Sequence, residues 1–298
     1  MRKLSNFDEI YTQRVNELEN HLENILNEKV KYHQTIIEAM KYSLLNGGKR
    51  IRAMLVMGFY ELCGKNYKEA LNTASVIEMI HSYSLIHDDL PCMDNDDYRR
   101  GKLTSHKVFG EGMAVLAGDS LLTTAFQIFS ENKDNFCADK VVKGINCLAT
   151  QSGYNGMIGG QVIDIENENQ QISEDMLYTL HALKTGALIK CACELGVIMA
   201  GGDEKMLEAA EKYGENIGLA FQIQDDILDV IGNAECLGKS IGSDKENGKT
   251  TFVTLYGLEK SKKMADECFK KAYNTLNEIN GNKEFLIALT DFLNNRTY

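Results

Sequence analysis

Apolar residues recur at helical spacing along most of this 298-residue chain. From residue 6 to about 28, Ile10, Val15, Leu18, Leu22 and Ile25 form one apolar stripe between charged positions, which predicts an amphipathic helix on the outside of the molecule, with no chemistry of its own. A second helix is expected from about Tyr32 to Leu45, stopped by Asn46-Gly47-Gly48. Ile51 to Leu62 reads as a buried helix and residues 67 to 89 as the next, with Pro91, the single proline, breaking the chain just beyond. Two apolar helices follow over residues 112 to 131 and 135 to 154. Another runs from Ser173, an N-cap with Glu174 and Asp175 in its first turn, to Met199, where Gly186 predicts a local kink or a close approach. Closing helices are expected from Thr250 to the C-terminus. Strand-like alternation is scarce, its nearest candidate being the short segment Gln161 to Glu166. The expected fold is therefore all-α. With no Gly/Ser/Pro-rich linker, residues 1–298 are expected to form one domain.

Charge narrows the function. A formal net charge of −11 argues against nucleic acid and against anionic membrane surfaces as partners. A diphosphate remains possible if positive charge is concentrated, and Arg50/Arg52 and Arg99/Arg100 form two such clusters. The 8 cysteines include no C-x-x-C pair, and Cys191-x-Cys193 is not a zinc spacing, so buried thiols in a reducing cytosol are expected. The first residues lack the apolar core of a signal peptide, and no long uncharged apolar run predicts a membrane span. These features point to a cytoplasmic protein.

The richest local chemistry lies between His81 and Gly101. Asp88, Asp89, Asp94, Asp96 and Asp97 precede Arg99 and Arg100. Hard cations such as Mg²⁺ take carboxylate oxygens and share them with substrate phosphates, and arginine pairs bidentately with phosphate. Asp88 and Asp94 do not share a face of a straight helix, so a loop has to curl Asp94 back. The plain alternative is a solvated acidic loop. A second cluster, Asp225, Asp226 and Asp229, lessens that alternative. Asp225 and Asp229 share a helix face at a spacing where like charges repel, between apolar flanks. Gly47-Gly48-Lys49 with Arg52 sets backbone amides beside cations, a weak phosphate signal alone.

Together these motifs resemble the trans-prenyl diphosphate synthases over nearly the whole chain, most closely the bacterial-type farnesyl branch. The resemblance implies a single large helical bundle of the isoprenoid synthase type with a central cavity. It also implies two or three Mg²⁺ ions, with Mn²⁺ as an option, held by Asp88, Asp89, Asp94, Asp225, Asp226 and Asp229. It places isopentenyl diphosphate on Gly48, Lys49, Arg52, His81 and Arg100, with Arg50 structural. It places the allylic diphosphate on Arg99, Lys184, Lys239 and Lys249, and sets Thr185 and Gln222 beside the developing cation. Gln161 and Asp164 belong to the implied cavity wall. Tyr83 and Ser84, five and four residues before Asp88, are the implied chain-length positions, an aromatic at the first stopping growth at fifteen carbons. The tail lacks a basic run and is assigned no ligand. A homodimer is also implied. Ala53 and Val253 stand where the family often has proline. Rival readings are a geranylgeranyl or geranyl diphosphate synthase, a class I terpene cyclase, and a non-catalytic helical binding protein. His87-Asp88 also resembles HD-type phosphohydrolases, without convincing partner histidines.

Overall fold

A computed structural model describes residues 6–132, 135–168, 170–231 and 250–296. The helices fall close to where the apolar periodicity puts them. In order they are α1 (Phe7–Ile25), α2 (Gln34–Leu44), α3 (Ile51–Leu62), α4 (Leu71–Asp88), α5 (Ser105–Phe109), α6 (Glu111–Glu131), α7 (Ala138–Ser152), α8 (Met157–Glu166), α9 (Glu174–His181), α10 (Ala187–Ala200) and α11 (Glu204–Ile231). Three helices, Phe252–Tyr256, Leu258–Asn277 and Glu284–Asn294, close the described chain. The segment with strand-like alternation is the second half of α8, where packing against the turn before α10 overrides its β-branched residues.

The centre is built from α3, α4, α10 and α11. Every residue of α3 except Arg52 and Glu61 is buried, so this helix has no solvent face. It packs on α10 at very close range, because a Cβ on Gly196 would lie 2.5 Å from the Val56 carbonyl. Phe59 meets Tyr213 edge-on at 5.2 Å, and the Tyr213 hydroxyl shares a 2.8 Å hydrogen bond with Thr290. That bond satisfies a polar group that burial would otherwise penalise. The buried apolar residues form one cluster from Leu18 to Leu293.

Three details differ from the expectations. A two-stranded hairpin, β1 (Tyr98–Arg99) with β2 (Lys102–Leu103), follows the acidic loop. Its two-residue turn, Arg100-Gly101, has φ of 53° and 75°, the primed geometry that matches strand twist. Helix α6 is long and apolar enough to cross a membrane by length and composition alone, although no uninterrupted apolar run announces it. Cys92 and Cys137 are exposed rather than buried, because each lies in a connection outside the helices.

Candidate active site

Helix α4 delivers the first acidic cluster. It ends at Asp88, and the turn before and through Pro91 folds back so that the Asp94 N–H donates to the Asp88 carbonyl at 2.8 Å. The curl demanded by the six-residue spacing is thus a hydrogen-bonded loop. Burial pushes the Asp88 carboxyl up to about 6, with Asp94 and Asp89 adding to it and Lys184 opposing. Asp89 faces a different partner. It is buried, and its carboxylate takes Arg99 Nε at 2.7 Å and Nη2 at 2.6 Å. Asp96 lies 3.6 Å from the same guanidinium, and Asp97 pairs with Lys107 at 2.7 Å.

The basic residues gather on the other side of α4. Arg50 heads α3 in the left-handed region at φ 51°. Its buried side chain reaches Glu78 at 3.4 Å, Glu19 at 3.3 Å and the Leu44 carbonyl at 2.6 Å. Arg50 is therefore held by the fold itself. Lys49, Arg52, His81 and Arg100 share one field instead. Burial brings Lys49 down to about 8, with Arg296 adding to the effect and Asp225 opposing it. Burial and then the charges of Arg52, Arg100, Arg99 and Arg50 hold His81 well below its usual range, so it is a neutral imidazole. Burial also lowers Arg52, and the nearby Arg100 adds to that. The buried Arg52 Nε has no hydrogen-bond partner among the described residues. Arg52, His81 and Arg100, each lowered by burial and by neighbouring arginines, with the Arg52 Nε unpartnered among the described residues, suit an anion.

The second cluster and the K-T-G segment meet at the junction of α9, α10 and α11. Ala182–Gly186 forms a single π-helical turn, and the close approach expected as one option at Gly186 is present there. Close packing fixes it from both sides. A Cβ on Gly218 would lie 2.8 Å from Gly186 Cα, and one on Gly160 would lie 2.6 Å from Lys184 Cα. The turn aims Lys184 Nζ at Asp164, 2.5 Å away, and the Thr185 hydroxyl at Gln222 Oε1, 3.1 Å away. Burial opposes the Lys184 charge, but Asp164, backed by Asp88 and Asp94, more than offsets it and raises its pKa. Gln222 also donates to Asp226 at 3.2 Å. Asp226 is buried and accepts the Phe252 N–H at 2.8 Å, which anchors the helix Phe252–Tyr256. Asp225 pairs with Arg296, whose guanidinium stacks 4.1 Å from the Phe221 ring centre.

Between the clusters lies a cavity of about 370 Å³, reaching from Arg52, Asp88, Lys184 and Thr185 down to Tyr83, Met157 and Leu188. A smaller space of about 150 Å³ extends past Lys184 to Asp226 and Thr251. One apolar cavity thus opens toward both acids and cations. The polyprenyl synthetase family profile matches residues 33–289.

The chain belongs to the polyprenyl synthetase family. It is 46% identical over 273 residues to the farnesyl diphosphate synthase of Micrococcus luteus, covering 89% of this chain and 93% of that one. It is 45% identical over 264 residues to the geranylgeranyl diphosphate synthase of Cyanophora paradoxa, covering 88% and 87%. The solved structure of a geranyltransferase from Legionella pneumophila aligns with a TM-score of 0.88 and 34% identity over 98% of each chain.

Of the residues that the motifs single out, Arg52, His81, Tyr83, Ser84, Asp88, Gln161, Lys184 and Thr185 line this polyprenyl synthetase cavity, Gln222 and Asp226 line the smaller space beside Lys184, and Arg99 and Arg100 line a third; Gly48 packs on Arg100, the Lys49 charge is close enough to feel Asp225, and that of Lys184 to feel Asp94. Asp89 and Asp226 hold neighbouring structure as described, and Asp229 lies one turn beyond Asp225 on α11. Lys239 and Lys249 lie outside the described residues. Motif reading missed Tyr11, whose hydroxyl donates to the Lys49 carbonyl, and Arg296, which sits in a tail without a basic run. Arg296 is one of three arginines that are neither in a cluster nor at the first residues' edge of a motif, and only through-space proximity reveals it.

Proposed function

We propose that this polyprenyl synthetase condenses isopentenyl diphosphate with dimethylallyl or geranyl diphosphate, head to tail, to give farnesyl diphosphate and diphosphate. The similar relatives include makers of both fifteen- and twenty-carbon products, so similarity leaves length open. Tyr83 carries the choice. It is 5% exposed and lines the cavity about one turn below Asp88.

The donor set suits divalent metal. Asp88 is pushed up to about 6 by burial and by acidic neighbours, a cost that a cation relieves. A divalent cation of this kind shares its ligands with substrate phosphates. Asp88, Asp94, Asp225 and Asp229 are the proposed Mg²⁺ ligands. Asp89 orients Arg99, and Asp226 orients Gln222 and the Phe252 backbone. Bound Mg²⁺ supplies Lewis acidity toward the leaving diphosphate.

The chain's own groups do the rest. Lys184 and Arg99 take charge from the allylic diphosphate as its C–O bond breaks, and Lys239 and Lys249 are assigned there by motif. The Thr185 and Gln222 oxygens face the allylic cation as neutral dipoles that stabilise it without capturing it. Gly48, Lys49, Arg52, neutral His81 and Arg100 hold isopentenyl diphosphate while its double bond forms the new carbon–carbon bond. The departing diphosphate takes the proton.

Residues 1–298 are read as one domain, in a cytoplasmic homodimer. The α6 face supports the dimer: Val115 and Leu116 are 40% and 54% exposed on a helix otherwise rich in apolar residues, and a second copy would cover them. Sedimentation at micromolar concentration tests this.

Product analysis tests the reaction. Isopentenyl diphosphate, Mg²⁺ and geranyl diphosphate should give a dominant fifteen-carbon product, lost with chelator and restored by metal. A dominant twenty-carbon product would overturn the role of Tyr83. Absence of any condensation would overturn the activity.

A further inference from the structure

Tyr83 has nothing polar to fix it. Its hydroxyl is buried and finds no hydrogen-bond partner among the described residues. A ring that closes a cavity by packing alone stays in place only if a neighbour packs against it. His87, which lines the same cavity, is such a neighbour. It lies one turn further along α4, on the same face, with ring centres 5.8 Å apart and planes at 76°. This edge-to-face arrangement is a favourable one for aromatic rings.

His87 is itself locked by α6. Its Nε2–H donates to the Val115 carbonyl at 3.1 Å, and Asp119 lies 3.9 Å from the same nitrogen. A carbonyl can only accept, so the proton sits on Nε2 whatever the charge of the ring. Gly118, between those two residues, leaves the slot that the imidazole fills. A Cβ there would fall 2.5 Å from His87 Cδ2 and 2.9 Å from Cε1. Glycine inside a helix is less favourable than alanine, and the imidazole slot is what it provides here.

We infer that His87 is a positioning residue for product length: clamped by Gly118 and the Val115 carbonyl, it holds the Tyr83 ring across the cavity. His87 lines the same cavity, but its effect on product length runs through Tyr83. The inference rests on the prenyl-transfer reading of the cavity and adds to it a second residue, on which product length depends.

The experiment compares the twenty- to fifteen-carbon product ratio of the wild-type chain with His87→Ala, His87→Gln, Tyr83→Ala and the double variant Tyr83→Ala/His87→Gln. Excess isopentenyl diphosphate, geranyl diphosphate and Mg²⁺ are supplied. Glutamine keeps a donor within reach of Val115 but has no ring, so it serves if alanine impairs folding. Both His87 variants should raise the ratio roughly tenfold, the upper range of an aromatic pair's contribution. The double variant should match Tyr83→Ala, because the brace has nothing left to hold. A ratio unchanged in both His87 variants overturns the inference, as does a double variant in which the two effects simply add. A wild-type chain that makes no condensation product sinks the functional reading instead. A crystal structure of His87→Gln then decides the brace without turnover: a displaced Tyr83 ring supports it, and an unmoved one overturns it.

Discussion

The Arg100 guanidinium occupies the space where a side chain on Gly48 would be. A Cβ at Gly48 would fall 2.8 Å from Arg100 Cζ and Nη1, and Arg100 Nη1 donates to the Gly47 carbonyl at 2.5 Å. Gly48 also has φ 113°, where only glycine is relaxed. The Gly47-Gly48 turn is thus a seat for an arginine from the β1–β2 hairpin, as well as an approach for phosphate.

Gly48→Ala should destabilise the protein by about 1–3 kcal/mol through backbone strain. It should also raise KM for isopentenyl diphosphate at least roughly tenfold, since a displaced charged donor is worth about that much. KM for geranyl diphosphate should change far less. Thermal unfolding with two-substrate kinetics separates these effects.

Lys49 predicts a pH dependence. Its folded pKa, about 8, lies below the ordinary lysine value because burial and Arg296 disfavour the charge. The cost of holding that charge is in full force below about 8. It is relieved as pH rises from there toward the unfolded value of about 10.4. From this group alone, stability should rise across that window. Substrate affinity should move oppositely, because the neutral amine cannot pair with diphosphate. KM for isopentenyl diphosphate should climb above pH about 8. Lys49→Arg should abolish the inflection, and Arg296→Ala should move it upward.

Arg50 and Arg52 should separate stability from binding. The Arg50–Glu78 pair is 1% and 3% exposed in its side chains. Arg50→Met leaves Glu78 buried without its main cation and should cost about 3–5 kcal/mol. Arg52→Met should leave the melting temperature nearly unchanged and raise KM for isopentenyl diphosphate. Denaturant unfolding curves beside steady-state kinetics check both.

Gly160→Ala should act on the reaction from a distance. The new methyl would press on the Lys184 backbone, shifting the π-turn that aims Lys184 and Thr185. Misplacement of about 1 Å can cost on the order of 10²-fold in rate. The expected result is a fall in kcat of that order with isopentenyl diphosphate affinity retained. Single-turnover kinetics reads it.

Helix positions were available from periodicity because the burial of one face repeats every few residues. Ile51–Leu62 agrees at both ends, and α1, α6 and the Ser173-capped α9 begin within a residue or two of expectation. The motif residues were available for a related reason: each cluster is short enough for the chain's own geometry to hold it together. Asp88 with Asp94, and Lys184 with Thr185, needed only a helix end and a local turn.

The partner of each side chain was another matter. Asp88 and Asp89 are adjacent and chemically identical, yet one lines the cavity and the other is buried against Arg99. Asp226 serves the Phe252 backbone, and Arg296 reaches Asp225 across 71 residues. Side-chain direction on a helix turns about 100° per residue, so neighbours in a motif face different elements. Which element stands opposite depends on how α3, α4, α10 and α11 pack, and that depends on close approaches such as Gly186 to Gly218 and Gly196 to Val56. Residue types and local spacing are written along the chain; the choice between a cation, a backbone amide and an open cavity for each carboxylate arises from contacts between distant segments, because only packing brings those groups within bonding distance.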